Sequence, residues 1–287
     1  MDKRFDSIVF PGGKSKAFTL SYDDGVVQDR RLAEIFRSRG LKCTFNISSG
    51  LFGHADMGGF PGMPDLDLSK LSAEDVETVY ATHEIAGHAL YHSDLSTVGT
   101  PRAMYEVIED KRRLEALVRK PLKMFAYPFG TNNAETHEIL RLAGYHGART
   151  VVSSRSFDIP EDFLVWNPTC HHNDPELMQL AQKFLDLFPF RPALFYVWGH
   201  AYEFDGSNNW NVIEELADVM ARHEKEVWFA TNGEIIDYVT AYHRLEYSAD
   251  GSFIYNPSAM DVTIRTSFSS VQTIPAGDCA AIECTSL

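Results

Sequence analysis

Apolar, β-branched segments alternate with helical ones along most of this chain, and that alternation restricts the fold more than any other feature. Ala17-Phe18-Thr19-Leu20-Ser21-Tyr22 reads as a strand, and Asp29 to Arg39 as a helix closed by Gly40. Leu41 to Ile47 reads as the next strand, and further strands are predicted at 122–127, 145–151, 193–198 and 227–230. Ser72-Ala73-Glu74-Asp75 resembles a capped helix start. Thr100-Pro101 opens the clearest helix, running to about Arg119, with Thr as the cap and Pro in the first turn. Further helices are predicted at 133–143, 175–187, 209–222 and 233–242. Strands alternating with helices imply parallel pairing with right-handed crossovers, and seven or eight such units favour a barrel. From about Leu245 the pattern changes to short antiparallel strands, 245–251 and 261–265. The expectation is a barrel over 1–243 and a small C-terminal β appendage over 244–287.

At 287 residues, 44% hydrophobic and 23% charged, the chain has the composition of a globular protein that can bury one large core. Twenty-six basic against forty acidic residues give a net charge of −14, which repels phosphate backbones and anionic lipid, so no nucleic-acid partner is expected. The longest apolar run, Ala193 to Trp198, is far short of the about 20 residues that span a bilayer. Met1 to Asp6 carries acids and no apolar stretch, so a cytoplasmic location is expected, with a secreted mature form as the alternative. Cysteines 43, 170, 279 and 284 are too few to staple such a chain. Cys43 reads as a buried small hydrophobe, and Cys279 and Cys284 as free thiols.

Four segments concentrate polar residues where predicted strands end, which is where a βα barrel builds its site. In Ser21-Tyr22-Asp23-Asp24-Gly25 two adjacent carboxylates can diverge, one to a cation and one to a reacting water; the alternative is a plain Asp-Gly turn. In His83-Glu84-Ile85-Ala86-Gly87-His88-Ala89-Leu90-Tyr91-His92 the spacing of His88 and His92 predicts one helical turn with both imidazoles on one side. Such a pair with a carboxylate suits a divalent transition metal, although a His pair also occurs as an exposed or structural feature. Phe125-Ala126-Tyr127-Pro128-Phe129-Gly130 ends a strand in a rigid aromatic turn. Val197-Trp198-Gly199-His200 delivers a His beside an aromatic wall, and Glu203 and Asp205 follow closely enough for one of them to orient it. Thr169-Cys170-His171-His172-Asn173-Asp174 reads as a second polar wall, a metal-binding cluster or a surface loop. Residues 49–70, rich in Gly, Pro and Asp, form a long loop of the kind that borders a site.

In order and spacing these segments resemble the motifs of the polysaccharide deacetylase family, the NodB-homology carbohydrate esterases. Ser21-Tyr22-Asp23-Asp24-Gly25 is similar to its Thr-Phe-Asp-Asp-Gly motif, and His88-Ala89-Leu90-Tyr91-His92 to its His-x-x-x-His motif. Ala126 to Gly130 resembles the third motif, and Trp198-Gly199-His200 the last. The resemblance covers roughly residues 17 to 240 and implies a distorted (β/α)7 barrel. It further implies a hydrolase that removes N- or O-acetyl groups from carbohydrates, acting on carbon–nitrogen non-peptide bonds with a divalent metal. Zinc is the metal expected, with cobalt, nickel or manganese as alternatives. Carried over by position, Asp24, His88 and His92 are metal ligands, Asp23 the general base and His200 the general acid. Tyr127, Pro128, Phe129, Trp198 and Glu203 are the expected substrate contacts, with backbone near Tyr127 helping to hold the tetrahedral intermediate.

Two departures from the family pattern stand out. The third motif commonly starts with Arg, which pairs with the base; here that position is Ala126, and Arg149 and Arg155 are candidate replacements. The family's Asp and Trp cluster has only loose matches in Asp158, Asp162 and Trp166. An amidohydrolase acting on a small non-sugar amide is the competing reading, and an inactive carbohydrate-binding domain the third.

Overall fold

A computed structural model describes residues 7–59, 65–188, 191–266 and 270–282. The chain opens with β1 (Ser7–Val9) and β2 (Lys16–Asp23), then α1 (Asp29–Arg37) and β3 (Thr44–Ile47). α2 (Ala73–Val79), β4 (Glu84–Gly87), α3 (Thr100–Val118), β5 (Met124–Ala126), α4 (Ala134–Leu142) and β6 (Gly147–Arg149) follow. Next come β7 (Cys170–His171), α5 (Leu177–Asp186), β8 (Ala193–His200), α6 (Tyr202–Ser207), α7 (Asn211–Ala221), β9 (Val227–Phe229) and α8 (Asn232–His243). The chain closes with β10 (Glu246–Tyr247), β11 (Phe253–Tyr255), β12 (Val262–Arg265), β13 (Val271–Ile274) and β14 (Cys279–Ala281).

Seven parallel strands run in the order β6-β5-β4-β3-β2-β8-β7, and β9 pairs with the start of β2. The sheet curls on itself. Trp166 bridges in parallel to Arg149 of β6, while Thr169 and His172 donate backbone N–H groups to Tyr196 and Trp198 of β8. Residues 166–172 thereby span from one end of the strand path to the other, giving the expected distorted (β/α)7 barrel. Every residue of β2 is buried, as a strand flanked on both edges and covered on both faces must be. The helices bury one stripe each: α5 turns Leu177, Leu180, Ala181, Phe184 and Leu185 inward, a spacing of three and four.

Two three-stranded antiparallel sheets complete the molecule, β1-β12-β13 and β10-β11-β14. N-terminal Ser7–Val9 thus pairs with Val262–Arg265 near the other end of the chain. The hydroxyl of Tyr238 on α8 donates to the Val9 carbonyl (2.6 Å) and accepts the Thr263 N–H (2.9 Å), tying this sheet to a barrel helix. Among the described residues there is no disulfide and no helix long and apolar enough to cross a membrane. Cys43 and Cys170 are buried and Cys279 is exposed; Cys284 lies outside the described residues.

Several local expectations need correction. α3 is preceded by Gly99 at φ 77°, and Thr100 is its first residue, not a side-chain cap; its hydroxyl instead bonds Glu135. The 245–251 segment forms only the two-residue β10 before turning. Asp29, at the start of α1, is fully buried with Oδ2 accepting the Tyr80 hydroxyl at 2.7 Å. Burial pushes its carboxyl up to about 8, against the pull of that hydrogen bond. The folded state therefore holds a proton that the unfolded chain releases near pH 4, so stability falls as pH rises from about 4 through 8. Asp29→Asn is expected to be near neutral at pH 6 and stabilising at pH 9 in thermal melts. Equal destabilisation at both pH values would show an ionised carboxylate at this position.

Candidate active site

In a parallel barrel all strands end on the same rim, and register decides which side chains meet there. Asp23 is the last residue of β2, level with Asn46 of β3 and His200 of β8. Its carboxylate accepts Asn46 Nδ2 (2.8 Å) on one oxygen and the Arg149 guanidinium on the other. Arg149 ends β6 and is completely buried, its guanidinium 4.3 Å above the Trp198 ring. Ala126 and Arg149 are register partners on neighbouring strands, so the guanidinium missing at 126 is delivered from one strand away. Arg155 instead makes surface ion pairs with Asp174 and Glu176. Burial opposes ionisation of Asp23, but Arg149, His88 and His200 together hold its carboxyl below the usual range.

Asp24 diverges from Asp23 because its backbone is left-handed, at φ 83°. This conformation is costly for a non-glycine residue, and the Asp24 N–H to Asn46 carbonyl bond (2.9 Å) helps to hold it. Asp24 Oδ1 lies 3.8 Å from His92 Nε2 and 3.6 Å from Lys70 Nζ. Burial raises its carboxyl, yet Lys70 and the three neighbouring imidazoles outweigh this and bring it down to about 2.

His88 and His92 do not sit on a helical turn. β4 ends at Gly87, and the two histidines follow in an irregular segment with Ala89 at φ 59° and His92 at φ 55°. The backbone reversal, and not a helical period, brings their rings to 4.7 Å. Gly87 is required here, since a Cβ would stand 2.3 Å from the Tyr145 hydroxyl. His88 is buried, and its Nδ1 bonds the Ala126 carbonyl at 2.8 Å. A carbonyl only accepts, so Nδ1 carries the proton and Nε2 presents a lone pair; that buried Nε2 has no hydrogen-bond partner. Burial lowers both His88 and His92, the latter to about 4, so both rings are neutral at pH 7. The ligand atoms of Asp24, His88 and His92 lie within 4.8 Å of one another. Two imidazole nitrogens, one of them orphaned, and a carboxylate oxygen fit a divalent transition metal.

On the opposite wall His200 ends β8, with Nε2 3.9 Å from Asp23 Oδ2. Glu203 faces it: Oε1 is 3.5 Å from His200 Nδ1, and Oε2 accepts the His200 backbone N–H at 3.3 Å. Burial opposes protonation of His200, but Glu203, Asp23 and Asp24 raise its pKa. Asp205 does not take part; it accepts Trp210 Nε1 at 2.7 Å. The 169–174 segment is not a surface loop, for Cys170–His171 is strand β7 and His172 is fully buried. The His172 ring lies between those of Tyr22 and Phe204, and a Cβ on Gly199 would stand 1.9 Å from it. His171 and His172 place Nε2 atoms 3.2 and 3.1 Å from Glu203 Oε2. His171 Nδ1 accepts the Asn173 N–H, which leaves its proton on Nε2 toward Glu203. His171, His172 and His200 thus surround Glu203, and together they hold its carboxyl well below the ordinary range despite burial.

A cleft of about 580 Å³ opens over Asp23, Asp24, His88, His92 and His200. Trp198 and the 63%-exposed Phe129 line it, with Phe129 packed edge-on to His92 at 4.6 Å. Tyr127 also borders the cleft, but its hydroxyl donates to the Leu164 carbonyl (3.0 Å) and its N–H to the Arg149 carbonyl (3.1 Å). Pro128 is buried beneath this turn. Of the loose motif matches, Asp158 bonds Ser156, Asp162 caps the turn at Leu164, and Trp166 is core. Asn46 and Lys70 went unread in the sequence. Asn46 had a signal, a polar residue inside an apolar strand; Lys70 had none. A larger cavity of about 840 Å³ lies among Lys42, Glu84 and Lys123, at the strands' N-terminal ends and away from this chemistry.

The family model described as polysaccharide deacetylase matches residues 11–148. A putative polysaccharide deacetylase from Mycobacterium smegmatis is similar in structure, with a TM-score of 0.58 at 14% identity, covering 83% of this chain and 94% of that one. The Xyl-CE4 domain of a multidomain xylanase from the hindgut metagenome of Trinervitermes trinervoides aligns with a TM-score of 0.51 at 14% identity, over 83% and 99%. A Streptococcus pyogenes deacetylase aligns over 46% of this chain and only 55% of its own length, at 20% identity and a TM-score of 0.40. No curated protein matches the chain in sequence.

Proposed function

Because this chain belongs to the polysaccharide deacetylase family, matched over residues 11–148, we propose that it is a metal-dependent hydrolase removing an N- or O-acetyl group from a carbohydrate. The observation that carries the reading is the buried, unpartnered Nε2 of His88 beside Asp24 and His92, with an ionised Asp23 held next to them by Arg149. Asp24, His88 and His92 would hold the ion, zinc by its preference for this donor set. Once bound there, a divalent ion supplies Lewis acidity toward the acetyl carbonyl and toward water.

The remaining chemistry falls to side chains. Asp23, kept anionic by Arg149 and oriented by Asn46, takes the proton of the attacking water. Protonated His200, its Nδ1 turned to Glu203, presents Nε2 across the cleft and donates the proton to the leaving nitrogen or oxygen. Trp198 and exposed Phe129 offer apolar faces to a sugar ring. The bonds made by Tyr127 give it the part of a wall that fixes the turn, leaving contact with substrate to Phe129.

Two measurements test this reading together. Acetate release from acetylated chito- and xylo-oligosaccharides, set against simple amides, is expected to favour the sugars and to stop on chelation. Elemental analysis is expected to find close to one divalent ion per chain, lost in Asp24→Ala, His88→Ala and His92→Ala. Metal retained in all three variants, or turnover of simple amides alone, would overturn it.

A further inference from the structure

Lys70 has no part in the chemistry above, yet its Nζ lies 3.6 Å from Asp24 Oδ1, and the two side chains are only 15% and 14% exposed. The backbone that carries it is clamped to the stretch just after Asp24. Lys70 forms an antiparallel bridge with Val26, its N–H donates to the His54 carbonyl (2.9 Å), and Leu71 N–H donates to the Gly25 carbonyl (2.8 Å). Val27 N–H donates to the Ser69 carbonyl (3.0 Å) from the other side. The ammonium is therefore built into the rim and does not hang from a free loop. Asp24 is the sole ion-pair partner of Lys70 among the described residues.

Asp23 is matched by Arg149 and Asp24 by Lys70, so the four side chains sum to zero. A divalent cation entering beside His88 and His92 meets a neutral pocket where two carboxylates alone would offer −2. It must also share Asp24 with an ammonium, and like charges a few ångströms apart in a poorly solvated site repel strongly. We propose that Lys70 sets the metal affinity of the Asp24–His88–His92 site, competing for the Asp24 carboxylate and weakening the hold on the ion. This rests on the ligand assignment made above. A weaker hold leaves the bound ion less neutralised by its ligands and more electrophilic, the property acyl hydrolysis uses.

The dissociation constant for Zn²⁺, measured by competition with a chromophoric chelator, tests it in wild type, Lys70→Met, Lys70→Gln and Lys70→Arg. Removing a group that supports a metal ligand typically costs about 10–100-fold in affinity, and for a group that competes for the ligand the same scale is expected with the opposite sign. Lys70→Met and Lys70→Gln are expected to bind zinc tighter by that factor, and Lys70→Arg, which keeps the charge, to stay near wild type. Unchanged or weaker binding in the neutral variant that keeps a wild-type melting curve would overturn the proposal while leaving the ligand assignment intact. A wild-type protein whose zinc binding is absent, or survives His88→Ala, would overturn both.

Discussion

Asp23→Asn is expected to lower turnover of the best acetylated substrate by about 10²–10⁴ while leaving the metal content near wild type. Asp23 and Asp24 are adjacent, but the left-handed backbone at Asp24 sends them to different neighbours. Asp23 meets Asn46 and Arg149, whereas Asp24 faces His92 and Lys70. An amide at 23 keeps an oxygen acceptor for its neighbours and removes the basic carboxylate, so proton transfer fails and the ligand set survives. Turnover and elemental analysis on the same preparation check this. If Asp23→Asn empties the metal site, the two carboxylates have exchanged roles.

Arg149→Met carries the largest expected cost in stability. Arg149 is fully buried, and it is paired with a carboxylate that is itself only 2% exposed. Removing one partner of such a pair leaves an uncompensated buried charge, which typically costs about 3–5 kcal/mol. Methionine keeps most of the volume over Trp198, so the loss reports charge more than packing. Asp23 is then expected to regain a higher pKa, because burial is no longer opposed by its main counter-charge. The acid limb of the rate profile should move up in pH along with the fall in denaturant midpoint. The double variant Asp23→Asn with Arg149→Met is expected to recover part of the lost stability, since no unpaired charge remains. Additive losses in the double variant would show that the two side chains are not coupled.

The strands and helices of the barrel were legible because their signals are local. The apolar run from Ala17 to Tyr22 and the helical pattern over 175–187 each predict an element that the structure contains, with ends shifted by a few residues. Asp23, Asp24, His88, His92 and His200 were legible as candidates because each closes or follows an apolar strand, and the cleft brings all five together. The way His88 and His92 meet was not legible. A spacing of four suits a helical turn, and only the positive φ at Ala89 and His92 shows that an irregular backbone does the work. Likewise, 169–174 read equally well as loop or wall, because a two-residue strand leaves no period to detect.

What the sequence determined by itself is the succession of strands and helices and the residue types waiting at the strand ends. Both depend on neighbours within a few positions, whose side chains alternate or recur with the backbone period. The tertiary structure alone decided which charges face one another. Arg149 reaches Asp23 across 126 positions of chain, Lys70 reaches Asp24 through a loop clamped to the rim, and His171 and His172 close on Glu203 beyond β8. Strand register and barrel closure create these pairings, and contacts between residues so far apart in the chain leave no periodic trace along it.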